Sequence, residues 1–87
     1  MGCFEDRDED RDMFDYNLIE GLTVEKCLAV CKEHGFRFAG LQKGNECFCD
    51  DFYGRFERKN NKECDYNCEG NRNQLCGGYW RNSVYRV

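Results

Sequence analysis

Chemistry in this 87-residue chain has four sources: eight cysteines, a single histidine, 17 acids and 13 aromatic residues. The cysteines are the densest set. They stand at Cys3, Cys27, Cys31, Cys47, Cys49, Cys64, Cys68 and Cys76. Thiols act as metal ligands, nucleophiles or bridges. Zinc sites favour C-x2-C pairs, often with histidine, whereas the spacings here are C-x3-C, C-x-C and C-x3-C. No metal or other cofactor is therefore expected. An even cysteine count at this density marks a disulfide framework built for an oxidising compartment. With each cysteine paired, no thiol nucleophile remains. His34 falls at a helix end and Ser83 in an expected strand, so no hydrolytic triad assembles. A glycosidase needs two carboxylates across a cleft, and a stapled domain of this size has little room for one. No catalytic residue is expected. The acidic run Glu5 to Asp12 lacks the glycine of a calcium loop and includes Arg7 and Arg11, so it reads as a solvated loop.

The elements that must carry these cysteines can be read from their spacing. Thr23 is a good N-cap, Glu25 suits a first turn, and Gly35 is placed to end a helix. Between them Val24, Cys27, Leu28 and Cys31 follow the stripe of an amphipathic helix. Phe36 to Gln42 alternates as a strand, with Phe36 and Phe38 on one face and Ala39 and Leu41 on the other. Lys43-Gly44-Asn45 is a turn, and Glu46 to Asp50 returns as the second strand of a hairpin. A helix aligns residues i and i+4, and a strand aligns i and i+2. Cys27 and Cys31 can therefore meet Cys47 and Cys49 in two cross-links, either parallel or crossed. Residues 5–21 and 51–73 read as loops, and a last strand runs over about Ser83 to Val87. The expected fold class is α+β: a single domain over residues 1–87, with one helix on a short antiparallel sheet and long loops.

Residues 1–20 hold eight acids and two arginines, while residues 21–87 hold nine acids and eleven bases. That pattern offers no footprint for nucleic acid or polyanions. No apolar run is long enough for membrane insertion. The first twelve residues are acidic rather than signal-like, so Met1 reads as a start placed before a mature, secreted domain. No Asn-x-Ser/Thr acceptor occurs.

Several segments together resemble the WSC domain, a cysteine-rich carbohydrate-binding module. They are Gly2-Cys3-Phe4-Glu5-Asp6, Leu22-Thr23-Val24-Glu25-Lys26-Cys27 with Cys31, Ala39-Gly40-Leu41-Gln42, and Gly44-Asn45-Glu46-Cys47-Phe48-Cys49. Cys64-Asp65-Tyr66-Asn67-Cys68 with Gly70-Asn71, and Cys76-Gly77-Gly78 through Arg81-Asn82-Ser83-Val84-Tyr85, complete the match. Asp50 departs from the glycine common there, and Tyr79-Trp80 from smaller residues. The resemblance implies a PAN/apple-like fold with bridges Cys3–Cys64, Cys27–Cys47, Cys31–Cys49 and Cys68–Cys76. It also implies an extracellular, non-catalytic module that recognises polysaccharide or glycoprotein glycans. Flat Tyr and Trp rings stack on the C–H face of a sugar, while amides and charges bond its hydroxyls. Tyr79, Trp80 and Arg81 are the leading candidates, with Tyr53, Tyr66 and Asn82 as neighbours. Phe36, Phe38 and Phe48 are assigned to the core, for which Tyr85 and even Trp80 are also candidates, and Gly77-Gly78 to a tight turn. An extracellular protein–protein module is the alternative, since hot spots draw on the same residue types.

Overall fold

The computed structural model describes residues 2–87. Its elements run β1 (Gly2–Glu5), β2 (Asp15–Leu18), α1 (Val24–Glu33), β3 (Phe38–Gln42), β4 (Glu46–Asp50) and β5 (Arg58–Lys59). A 3-10 turn (Asn61–Glu63), β6 (Asn67–Cys68), β7 (Asn71–Leu75) and β8 (Arg81–Arg86) follow. Six strands form one antiparallel sheet in the order β2-β4-β3-β8-β1-β5, and β6 pairs with β7 beside it. The α+β class holds.

The helix starts where the capping residue directs. Thr23 Oγ1 accepts from the Lys26 N–H at 3.1 Å, satisfying one of the free donors of the first turn. His34 is the C-cap, and Gly35 follows at φ 83°, a conformation glycine adopts without penalty. Thr23→Ala is expected to cost about 1 kcal/mol of stability, read from a denaturation midpoint; an unchanged midpoint would mean that the bridges alone hold this end.

One face of the sheet is covered by α1 and fastened to it. Cys27 bonds Cys47 and Cys31 bonds Cys49, which is the parallel arrangement. Cys3–Cys64 and Cys68–Cys76 complete the four bridges that the resemblance implies. Around the helix-side bridges pack Leu22, Ala39 and Leu41, with Ile19, Leu28, Phe36 and Tyr85 at the margin. The placement of Phe36 differs from expectation. It precedes β3 rather than opening it, and so packs on the helix side while Phe38 points to the other.

The opposite face has no helix. A second apolar cluster of Met13, Phe48 and Val84, flanked by Phe4, Phe38 and Tyr53, is covered by chain from the acidic segment. Here the expected solvated loop is corrected, because Asp6 and Asp12 are buried. Asp12 accepts main-chain N–H bonds from Gly54 and Arg55 at 2.9 and 2.8 Å, tying the two long loops together. Asp6 accepts from Asp12 N–H, Arg11 Nη1 and Gln42 Nε2 at 2.8, 2.6 and 2.9 Å. Carboxylates are tolerated in a core only when paired in this way.

The two expected loops also contain more order than their composition suggested. Residues 5–21 include β2, and residues 51–73 include β5, the 3-10 turn, β6 and the start of β7.

Candidate ligand-binding site

The site grows from the turn that joins the small sheet to β8. Gly78 N–H donates to Arg81 O at 2.9 Å, and Arg81 N–H returns to Gly78 O at 3.4 Å. Tyr79 and Trp80 are thus the two tip residues of a tight turn. Such turns demand a positive φ that glycine or asparagine normally supplies, yet Trp80 holds φ 54°. The left-handed region costs an L-residue about 1–2 kcal/mol. Non-glycine residues kept there mark places where a side chain is held for a purpose or by its surroundings. Among the described residues one other non-glycine has positive φ: Lys43, also at 54°, in the β3–β4 turn.

Those two strained residues meet. Lys43 Nζ stands 3.9 Å from the Trp80 ring centroid. Arg11 Cζ lies 4.9 Å from the same ring and 4.8 Å from Phe48, so its guanidinium links the platform to the core. Cation–π contacts of this type are worth about 0.5–1 kcal/mol at exposed sites, and they help offset the backbone strain. Tyr79 is set edge-on to Trp80 at 5.9 Å and is 66 % exposed. Its ring is the open face of the pair.

Gly77 and Gly78 serve this turn rather than a ligand. A side chain at Gly77 would strike the carbonyl oxygens of Leu41 and Arg81, and one at Gly78 the carbonyl of Glu63. Gly77 N–H also donates to Ser83 Oγ at 3.0 Å.

Beside Trp80 opens a shallow cavity of about 440 Å³ walled by Glu5, Arg7, Asp8, Glu9 and Arg81, with Asp6 at its floor. Arg7 donates to Glu5 at 2.6 Å, and this hydrogen bond holds the Glu5 carboxyl below its ordinary range. Arg81 is engaged too, through Nε to Glu63 Oε1 at 2.8 Å and Nη1 to Trp80 O at 2.9 Å. It braces the turn while lining the cavity.

The remaining candidates fall elsewhere. Asn82 is fully buried, its Oδ1 accepting from Gln42 Nε2 at 3.0 Å; it supports the platform from beneath and does not face solvent. Tyr53 belongs to the loop-side core, its ring 5.1 Å from Phe4 and 4.7 Å from Phe38. Tyr66 is 41 % exposed. Its N–H bonds Gly77 O at 2.9 Å, but no ring contact joins it to Tyr79 or Trp80. Sequence reasoning missed Lys43, Arg11 and the acidic wall. Their roles arise from where the loops cross, and only the Gly44 turn beside Lys43 gave a local signal.

Among the described residues two sets of metal-type donors come together, Cys27-Cys31-Cys47 and Asp15-His34-Cys49. Every cysteine in them is already joined in a disulfide, which leaves Asp15 and His34 as a simple pair at 2.7 Å.

The sequence pattern of the WSC domain matches residues 1–78. The chain belongs to the WSC domain family. It is 31 % identical over its whole length to the xylosyltransferase oxt of Drosophila melanogaster, covering 10 % of that protein. A WSC domain-containing protein of Arthroderma benhamiae is 40 % identical over 74 % of the chain, which spans 7 % of it. Human Kremen protein 2 is 40 % identical over 76 % of the chain, which spans 15 % of it. The chain therefore covers only about a tenth of the curated relatives it matches. The WSC domain is a non-catalytic module family, even where the protein that carries it is an enzyme. No helix among the described residues is long and apolar enough to cross a membrane.

Proposed function

We propose that this WSC domain is an extracellular carbohydrate-binding module that recognises polysaccharide or glycoprotein glycans at the Tyr79–Trp80 turn. One observation carries the reading: the fold holds a tryptophan in a left-handed turn position, with cations over its ring, and leaves the neighbouring tyrosine ring open to solvent. A sugar stacks its C–H face on Tyr79 and the accessible part of Trp80. In this reading Lys43, Arg81 and the carboxylates of Glu5, Asp8 and Glu9 bond its hydroxyls. Membership of the WSC family supports the reading.

A shallow platform of one or two rings desolvates few atoms, so a single short glycan should bind with Kd on the order of 0.1–1 mM. Multivalent polymer or tandem copies then supply avidity. Tyr79→Ala should weaken glycan binding roughly three- to tenfold, the magnitude of one aromatic stacking contact. Trp80→Ala should weaken it at least as much, with the thermal transition preserved. Titration against an array of wall and matrix oligosaccharides provides the measurement. Unchanged glycan retention by a folded Trp80→Ala protein would remove this platform.

The second reading, a protein–protein module, is favoured by a different surface, the cleft at the far end of β8.

A further inference from the structure

β8 begins beside the Tyr79–Trp80 turn and ends at a second cleft, of about 340 Å³, lined by Phe36, Arg37, Phe38, Arg86 and Val87. The strands bring these residues together. Phe38 opposes Arg86 across the β3–β8 pair, and Val87 N–H donates to Arg37 O at 2.8 Å. At about 3.3 Å per residue of strand, Arg86 stands about 20 Å from Trp80. The cleft shares no residue with the platform.

Among the described residues Arg7, Arg11, Arg55 and Arg81 are committed to carboxylates, and Arg58 lies over the Phe4 ring. The side chains of Arg37, Arg72 and Arg86 have no such partner, and two of these three line the one cleft. Asp50 and Asp51, at the end of β4 and just after it, bond main-chain donors instead. Asp51 Oδ1 accepts from the Arg37 N–H at 3.0 Å. Asp50 accepts from the N–H groups of Phe14, Asp51 and Phe52 at 3.4, 2.7 and 3.3 Å. That carboxylate fixes the chain at two exposed rings, Phe14 and Phe52. Phe14 meets Phe36 edge-on at 5.5 Å, which carries the apolar surface out of the cleft.

The lining identifies the occupant. It contains no amide, hydroxyl or carboxylate side chain to meet the hydroxyls of a sugar. β3 and β8 are each paired on both sides, so no main-chain edge is free there for an added strand. An anionic lipid surface would be repelled by Asp50 and Asp51 beside the cleft. What the cleft offers is ring surface next to two guanidinium forks, residue types that concentrate at protein–protein interfaces. Such forks take a carboxylate through paired hydrogen bonds. We propose that this cleft docks a segment of a partner protein in which an aspartate or glutamate is flanked by leucine or phenylalanine. The carboxylate bonds Arg37 and Arg86, and the apolar side chains lie against Phe36 and Phe38, with Phe14 at the margin.

The test titrates the folded, oxidised domain with a short amidated peptide alternating leucine and aspartate, and with the same peptide bearing asparagine for aspartate. A Gly-Ser tail follows Val87 in the titrated protein, which keeps a terminal carboxylate away from Arg86. The acidic peptide should shift the amide resonances of Arg37, Phe38 and Val87, and bind less tightly as salt is added. The neutral peptide should bind roughly three- to tenfold more weakly, as expected for the loss of two exposed ion pairs. The double variant Arg37→Gln/Arg86→Gln should keep the parental thermal transition and lose the preference for the acidic peptide. Trp80→Ala should bind the peptide as the parent does, which separates this site from the glycan platform. Equal affinity for the two peptides, or an unaltered preference in the double variant, would overturn the proposal. So would binding to phosphatidylserine vesicles or to oligogalacturonate, or concentration-dependent dimerisation, if the double variant abolished it.

Discussion

Full reduction of the four disulfides is expected to abolish the cooperative thermal transition of this domain. A chain of this size buries too little apolar surface for a robust core of its own, and six of the nine residues in the helix-side cluster are half-cystines. The bridges are unequal. Cys3–Cys64 spans 61 residues of sequence and Cys68–Cys76 spans eight. In the chain-entropy account their loss costs about 4 and about 2.5 kcal/mol respectively. Cys27–Cys47 and Cys31–Cys49 span 20 and 18 residues of nearly the same loop, so the second of them adds less than its length suggests. Guanidinium denaturation of Cys3→Ala/Cys64→Ala should therefore show a larger loss than Cys68→Ala/Cys76→Ala. Survival of the native transition after complete reduction would show that the apolar contacts suffice alone.

Asp6→Ala is expected to be the most damaging single change outside the cysteines. The carboxylate is 2 % exposed and receives hydrogen bonds from Arg11, Gln42 and the Asp12 main chain. Its removal leaves the Arg11 guanidinium without its carboxylate beneath Trp80, and Gln42 with one acceptor fewer. Because Arg11 keeps 26 % exposure, the cost falls at the low end of that for breaking a buried pair, about 3 kcal/mol. Asp6→Asn retains an acceptor and should cost about 1–3 kcal/mol, the range for one charged hydrogen bond. Because Arg11 lies over both Phe48 and Trp80, the near-ultraviolet circular dichroism of Trp80 should change in Asp6→Ala even where the protein remains folded. An Asp6→Ala protein with parental stability and an unchanged Trp80 signal would mean that the loop is held by Asp12 alone.

The legible parts of this fold are those where local pattern and tertiary contact agree. The helix from Val24, its Thr23 cap and the β3–β4 hairpin all follow from periodicity, and the spacing of four cysteines already placed the helix against the hairpin. The choice of parallel pairing, and both outer bridges, came only with the family resemblance. β2 was missed because Asp15 and Asn17 made its segment look like loop. The signal present was the alternation of Phe14, Tyr16 and Leu18, whose apolar side chains face outward instead of into the core. β6 and β7 carry Asn, Arg and Gln, so their pairing rests on the Cys68–Cys76 bridge and main-chain bonds rather than on an apolar pattern. At the candidate site, Tyr79 and Trp80 were recognisable as residue types. Neither the left-handed backbone of Trp80 nor the approach of Lys43 and Arg11 can be read from neighbours in sequence. Asn82 looked like a surface amide, and its burial depends on Gln42, forty residues away.

The position of β8 bears on how the domain is made. This strand, last of the eight in the sequence, lies between β3 and β1, and bonds to both. A chain emerging from its N-terminus can close the helix onto the β3–β4 hairpin once Cys49 has appeared. β1, however, has only the two residues of β5 for company until Arg81 to Arg86 arrive. Through much of its synthesis the domain is thus half-built, with Cys3 already exposed to oxidant and its proper neighbour strand not yet made. The long bridge to Cys64 is the one most open to premature mispairing. Oxidative maturation should proceed in two stages, the helix-side pair first and the β1 bridge after β8 has docked.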